Sequence, residues 1–334
     1  MSIDLSGVAL VAFGRASIGV RIFRGMKQAA LCSIAIVAAT APSVSSAQVK
    51  CSPTVSGDLR VESLQSATYS DKRTIRIWLP VGYDAAENAQ KRYPVLYMFD
   101  GQTLFDTCTA FSGEQELQVD ETLTRLIRDN TVQPLIVIGM DSSSRRTHEY
   151  RPYRDTVTDP TAPEPIGKDL PAFVVNEVMP YVSARYRVTA DPVQTGIGGT
   201  SLGALAALYV LLNRSDRFGM GLLESPSVPL GNGQMLRDTA FLARGPDRVS
   251  IGVGSTELAV PQGDKFASRL RIPLATANAG FAKMVETLAG NIRAAYLNRP
   301  DVTLVVEPNA NHTSASWARR FPRAVTVLYG VRPQ

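Results

Sequence analysis

At 334 residues, with 45% hydrophobic and 19% charged side chains, the chain carries enough apolar material for a large folded core and is excluded from the disordered and low-complexity classes. Its formal charge of +5 comes with no Lys/Arg-rich run interleaved with aromatics, which excludes a nucleic-acid-binding stripe. No repeat of about 20–50 residues runs through it, so solenoids and propellers are set aside.

The N-terminus reads as a targeting segment. From Met26, "MKQAALCSIAIVAATAPSVSSAQ" offers Lys27 as a positive start, an apolar run from Ala29 to Ala39, and Ser45 and Ala47 spaced for signal-peptidase cleavage before Gln48. The apolar run is short for a membrane-spanning helix; an uncleaved anchor is the competing reading. Residues 1–25 make an unusually long leader, and Met26 is the expected true start. The expected division is thus 1–47 as signal peptide and 48–334 as a single catalytic domain. Loss of Arg15, Arg21, Arg24, Lys27 and Asp4 leaves 31 basic against 29 acidic residues, a formal +2. The product is expected to be periplasmic or secreted. "QVKC" lacks the small residues that a lipoprotein signal needs before its cysteine, so no lipid anchor and no stable membrane insertion are expected. Of three cysteines, Cys32 lies in the signal. Cys51 and Cys108 remain, and in an exported chain they are expected to form one disulfide, worth roughly 4 kcal/mol by loop-closure arguments.

After a polar lead, "RTIRIWLP" (73–80) alternates as a half-buried strand would. "YPVLYMF" (93–99) and "PLIVIGM" (134–140) are short continuous apolar runs suited to strands buried on both faces of a parallel sheet. Between them "VDETLTRLIRDN" carries Val119, Leu123 and Leu126 at helical spacing. Residues 141–168 form a long polar loop, a length that usually signals function. "DLPAFVVNEVMPYVSARY" reads as a helix broken at Pro180. Strand "PVQTGIGG", helix "LGALAALYVLLNR" and strand "FGMGLLES" come next. Strand 249–254, helix 280–297, strand 302–308 and helix 316–330 complete the alternation. Repeated β-α order over about 250 residues predicts one α/β domain with a mostly parallel central sheet and helices on both faces.

"GIGGTSLGAL" (196–205) decides the chemistry. It has no lysine for a phosphate-cradling loop, and Ser201 stands where a dinucleotide fingerprint counted from Gly196 needs its third glycine. What fits is G-x-S-x-G: Gly199, Thr200, Ser201, Leu202, Gly203. A serine on a sharp strand-to-helix turn needs neighbours without side chains at two residues either side, because strand and helix nearly touch there. Ser201 is the expected nucleophile. Its base must come from His148 or His312, the only histidines in the chain. His312, beyond the last strand, gives the order serine, acid, histidine of α/β-hydrolases. The acid should follow a strand between them, which selects Glu257 in "VSIGVGSTEL", with Asp264 in "PQGDK" as the alternative. The backbone N–H of Leu202 and that of Gln102, in the turn after strand 93–99, are the expected oxyanion donors. Asp100 reads as a structural residue of that turn; no histidine or cysteine cluster accompanies it, so neither a metal nor a cofactor is expected.

"YPVLYMFDGQTLFD", "GEQELQVDETLTRLI", "RRTHEYRPYRD", "GIGGTSLGALAALY", "ESPSV" and "GVGSTE" together resemble the branch of the α/β-hydrolases that holds enterobactin-type siderophore esterases, feruloyl and acetyl-xylan esterases, S-formylglutathione hydrolase and mycolyltransferases. The resemblance runs from about residue 70 to the C-terminus. It implies an α/β-hydrolase fold, the Ser201–His312–Glu257 triad, and amides of Gln102 and Leu202 as oxyanion donors. It also implies that Arg146, Glu149 and Tyr150 border the substrate pocket; His148 in the same loop is a candidate pocket residue, with a surface role as the alternative. The implied partner is a small-molecule, carbohydrate or siderophore-type ester, with neither nucleic acid nor membrane involved. The expected activity is serine-esterase hydrolysis through an acyl-enzyme; an acyltransferase on the same residues and a non-catalytic binding protein of the same fold are the alternatives.

Overall fold

A computed structural model describes residues 51–331 apart from 112–114, 158–159, 162, 261–262, 264–266, 269–270 and 296. The expected signal segment 1–47 and Asp264 lie outside the described residues. Eight strands form one sheet: β1 (Asp58–Gln65), β2 (Lys72–Leu79), β3 (Val95–Phe99), β4 (Ile136–Met140), β5 (Thr195–Thr200), β6 (Met220–Glu224), β7 (Arg248–Gly254) and β8 (Asp301–Glu307). Their spatial order is β1-β2-β4-β3-β5-β6-β7-β8. β2 is antiparallel to both β1 and β4, and every pairing from β4 to β8 is parallel. The continuous apolar runs of β3 and β4 are buried throughout, as strands covered on both faces must be.

Two helical layers do the covering. On one face Val119–Arg128 and Ser314–Tyr329 share a core built around Leu123, Leu126, Phe321, Val325 and Leu328. On the other, the helical segment 170–183, helix Leu202–Asn213 and helix Leu274–Arg293 pack Phe173, Leu205, Leu208, Val285 and Ile292 against the sheet. Helix Leu202–Asn213 has no polar face; it is buried almost all round, as a helix pinned between a sheet and another helix must be.

Several sequence expectations change; helix Leu274–Arg293 begins and ends ahead of the expected 280–297, and a short helix, Arg146–Glu149, interrupts the expected polar loop. β1 lies within what read as a polar lead: its polar and apolar residues share an edge strand that pairs only with β2 among the strands of the sheet. β2 is not half-buried. The charged residues that gave its alternation are themselves enclosed, because Arg73 meets Glu149 in a two-pronged pair (2.7 and 2.9 Å) and Arg76 meets Asp141 likewise (2.7 and 2.9 Å). Removing one partner of such a pair costs about 3–5 kcal/mol. Nor is the helix broken at Pro180. The backbone widens to π geometry over Phe173–Val178, where Met179 N–H donates to the carbonyl of Val174, five residues back. Widening the turn is how a helix accommodates a ring that would otherwise strike the carbonyl four residues earlier.

The chain leaves β3 towards β4 on one side and β5 towards β6 on the other. Such a reversal of strand order opens a crevice outside the carboxyl ends of β3 and β5, where open α/β sheets bind ligands.

Away from that crevice, the segment ahead of β1 is pinned by a disulfide between Cys51 and Cys108 (Cα–Cα 5.5 Å) and docks on acidic side chains. Thr54 Oγ1 donates to Glu116 (2.5 Å) and Ser56 N–H donates to Asp120 (2.5 Å). Asp120 is fully buried. Burial, with Glu121 alongside, pushes its carboxyl up to about 8 against the opposing pull of the Ser56 amide. The folded chain therefore keeps a proton that the unfolded chain releases near 3.8, and this stabilisation is lost as pH rises through about 8. Asp120→Asn, permanently neutral, is expected to flatten the fall in Tm between about pH 5 and pH 9; parallel Tm curves for the two proteins would refute the assignment.

Candidate active site

β5 ends at Thr200 and helix Leu202–Asn213 begins two residues later, so Ser201 alone makes the turn. Its φ of 55° and ψ of −121° fall where side-chain-bearing residues are rarely found, and such backbone persists only where its surroundings over-determine it. Here Ser201 N–H donates to the carbonyl of Glu224 at the end of β6 (2.8 Å), and the Ser201 carbonyl accepts from Leu205 and Ser227 N–H (both 3.2 Å). The flanking glycines are required by space. A Cβ at Gly199 would stand 2.6 Å from the backbone of Gly203, and one at Gly203 would stand 2.6 Å from Asp100 Oδ2.

His312 follows β8 by five residues and reaches back over the turn. Its Nε2 lies 2.6 Å from Ser201 Oγ and its Nδ1 lies 2.7 Å from Glu257 Oε2. Trp317, in the first turn of the last helix, stands edge-on to the imidazole at 5.0 Å. Glu257 has no exposed surface. Burial drives its carboxyl up, but hydrogen bonds from His312, from Ser225 and from Gly254 N–H more than offset that, so it sits below the usual glutamate range. An ionised Glu257 fixes the proton of neutral His312 on Nδ1 and leaves Nε2 free to accept from Ser201. The structure therefore joins Ser201, His312 and Glu257 in one hydrogen-bonded row.

Gln102 lies in the single turn Gly101–Thr103 just after β3, beside the Ser201 turn. Among the described residues no acceptor takes the N–H of Gln102 or of Leu202. The Gln102 side chain is held away by Ser142, donating to its Oγ (2.7 Å) and accepting from its N–H (3.0 Å). Asp100, with φ of 59°, forms a two-pronged pair with Arg146 at 2.6 Å for each contact. It is a structural residue of the turn.

Of the four residues expected around the pocket, Arg146 alone lines the cavity at Ser201. Glu149 is buried against Arg73. Tyr150 is buried under Phe99, edge-on at 5.0 Å, with its hydroxyl accepting from Asp100 N–H. His148 lines neither cavity at the row. The loop's acidic and aromatic residues serve as its anchors, which a motif carried over from resemblance does not distinguish from its rim.

Two cavities meet at the row. One, of about 260 Å³, is walled by Pro229, Leu230, Leu258, Val260 and Phe281 and reaches Glu257 and His312. The other, of about 340 Å³, has Thr103, Phe111, Arg146, Ser314 and Trp317 around Ser201. The first is apolar; the second offers hydroxyls, aromatic rings and a guanidinium. Apart from Arg146, sequence reading missed these walls, since they come from six separate segments with no shared spacing. Among the described residues no group of three His, Cys, Asp or Glu side chains is placed to hold a metal ion, and no helix is long and apolar enough to cross a membrane.

The family model described as "Putative esterase" matches residues 66–326. The chain belongs to this esterase family. As an esterase it hydrolyses carboxylic esters, and the row at the carboxyl end of its sheet is the candidate site. The esterase is similar to "Uncharacterized protein YbbA" of Bacillus subtilis, at 24% identity over 263 residues, covering 77% of this chain and 93% of that one. It is also similar to ferri-bacillibactin esterase BesA of the same organism, at 28% over 161 residues, covering 44% of this chain and 52% of BesA. In fold it is similar to siderophore hydrolase EstA from Aspergillus nidulans, with TM-score 0.61 and 21% identity, covering 81% of this chain and 92% of that one.

Because Asp100 fills the space beside position 203, Gly203→Ala is expected to destabilise the esterase by about 1–3 kcal/mol, the usual cost of overpacking, read as a lower denaturant midpoint. An unchanged midpoint would show that the Asp100–Arg146 pair gives way freely.

Proposed function

We propose that the protein is an exported serine esterase in which Ser201 is the nucleophile, His312 the base and Glu257 the acid. The observation that carries this is the row from Ser201 Oγ to His312 Nε2 (2.6 Å) and from Nδ1 to Glu257 (2.7 Å), at the strand-order reversal of an esterase-family fold. Ser201 Oγ attacks the ester carbonyl while His312 Nε2 takes its proton. The carbonyl oxygen, now an anion, lies against the N–H groups of Gln102 and Leu202, and the amino end of helix Leu202–Asn213 adds positive potential there. Collapse of the tetrahedral species breaks the ester C–O bond, and the alcohol leaves with the proton from His312. Water then attacks the acyl-Ser201, giving its proton to His312; the acyl C–Oγ bond breaks, the acid leaves, and His312 returns the proton to Ser201 Oγ.

BesA is named as a ferri-bacillibactin esterase and EstA as a siderophore hydrolase, which supports a small-molecule ester, and the two cavities suit one with an apolar and a polar arm. The apolar cavity suits the first arm and the Arg146–Phe111 cavity the second. The Cys51–Cys108 bond supports export, with cleavage before Gln48 and residues 48–334 acting as one catalytic domain.

A fluorophosphonate probe is expected to label the purified protein and to leave Ser201→Ala unlabelled; absence of label on the unaltered protein would overturn the reading. Glu257→Gln is expected to lower kcat by at least about 10²-fold by unsettling the His312 tautomer, measured on short-chain nitrophenyl esters. A fall smaller than that would remove Glu257 from the role of acid. Hydrolysis of feruloyl esters and ferric catecholate trilactones, run beside those nitrophenyl esters, defines the second arm.

A further inference from the structure

Glu257 is met from behind by a buried polar group that the row does not itself require. Ser225, fully buried and directly after β6, donates from Oγ to Glu257 Oε1 (2.6 Å). The same oxygen accepts from Trp317 Nε1–H (2.9 Å) and from Arg320 Nη2–H (3.0 Å). A hydroxyl has one proton and two lone pairs, while an indole and a guanidinium only donate. Both lone pairs of Ser225 are therefore filled from the last helix, and its single proton has one place to go, the Glu257 carboxylate.

The charges around this point are arranged to match. Arg320 stands 4.0 Å from Glu257 and is itself held by Glu224 (2.6 Å) and Glu307 (2.9 Å). His312 approaches Glu257 from the opposite side. Donation by a cation into Ser225 Oγ polarises its O–H toward the carboxylate, as in other hydrogen-bonded chains of low dielectric. Trp317 joins the two sides, since the ring whose N–H fixes Ser225 also packs edge-on against His312.

We propose that Ser225 is a positioning residue for the ester-hydrolysing row, fixed as a one-way donor by Trp317 and Arg320 so that Glu257 keeps its charge and its aim at His312. This rests on the Ser201–His312–Glu257 reading. Ser225 touches neither substrate nor the reacting atoms; it acts through Glu257.

Loss of the hydroxyl takes a donor from the carboxylate. Glu257 then gains a proton more readily, and while ionised it draws the His312 imidazolium more strongly. Both effects move the acid limb of the kcat/KM profile to higher pH. Ser225→Ala is expected to lower kcat by about tenfold or more, with KM little changed, as for loss of a hydrogen bond to a charged group. Its acid limb should rise by about half a unit or more. Proton NMR gives an independent signature. With only His148 and His312 in the chain, the low-field Nδ1–H resonance of His312 can be assigned with His148→Gln, and it should shift or broaden in Ser225→Ala. A residue needed only for packing would change Tm and leave both the limb and the resonance in place.

Ser225 has a φ of 47°, a conformation glycine adopts without strain. Ser225→Gly is therefore the second variant should the alanine protein fail to fold, and the same shifts are expected in it. A folded variant whose acid limb, resonance and kcat match the parent overturns the inference. Ser201→Ala, run beside them, separates the two failures. An active Ser201→Ala protein overturns the nucleophile reading itself. An inactive one beside an unaltered Ser225 variant overturns only the role of Ser225.

Discussion

The turn at Ser201 exists because two backbones approach there more closely than a methyl group would permit. Gly199 and Gly203 supply that approach, and the strained serine between them is clamped by hydrogen bonds from β6 and from its own helix. Its position is set by the sheet. The order β4-β3-β5-β6 reverses beneath it, so the Gly101–Thr103 turn arrives from one side and the β6 end from the other. The two amides proposed to meet the oxyanion, and the carboxylate proposed to aim the histidine, reach one point because strand order brings them there.

A second constraint is the enclosure of charge. Arg73, Arg76 and Arg146 each meet a carboxylate with two contacts, on Glu149, Asp141 and Asp100. Arginine's planar fork fits a carboxylate in this way, and a buried pair of this kind holds geometry more than it adds stability. Together these pairs tie β2, the turn after β3 and the chain after β4 into one support. The cavity presents Arg146 already paired with Asp100, so little net positive charge stands there.

Much of this was legible in the sequence. β3 and β4 were marked by continuous apolar runs, and the mostly parallel sheet followed from β-α alternation. Of the residues that meet in the row, Ser201 was picked out by glycine spacing and His312 by there being only two histidines to choose from. Glu257 followed from its place after β7. What was not legible has a common cause. β1 carries few apolar residues because it is an edge. Arg73 and Arg76 imitate a solvent-facing pattern because their burial depends on carboxylates some 65 to 76 positions away. The cavity walls and the Ser225 group are assembled from distant segments. Local periodicity reports what a segment does to its own neighbours and is silent on such long-range pairing.

The end of β6 serves both halves of the site. The carbonyl of Glu224 receives the amide of Ser201, and the next residue, Ser225, holds Glu257. The proposed nucleophile and the proposed acid thus hang from adjacent residues of one buried strand end. Any displacement of that strand carries both in the same direction, so the distance between them is shielded from common-mode motion. The gap that His312 bridges is thus referred to one short stretch of chain, Glu224 and Ser225.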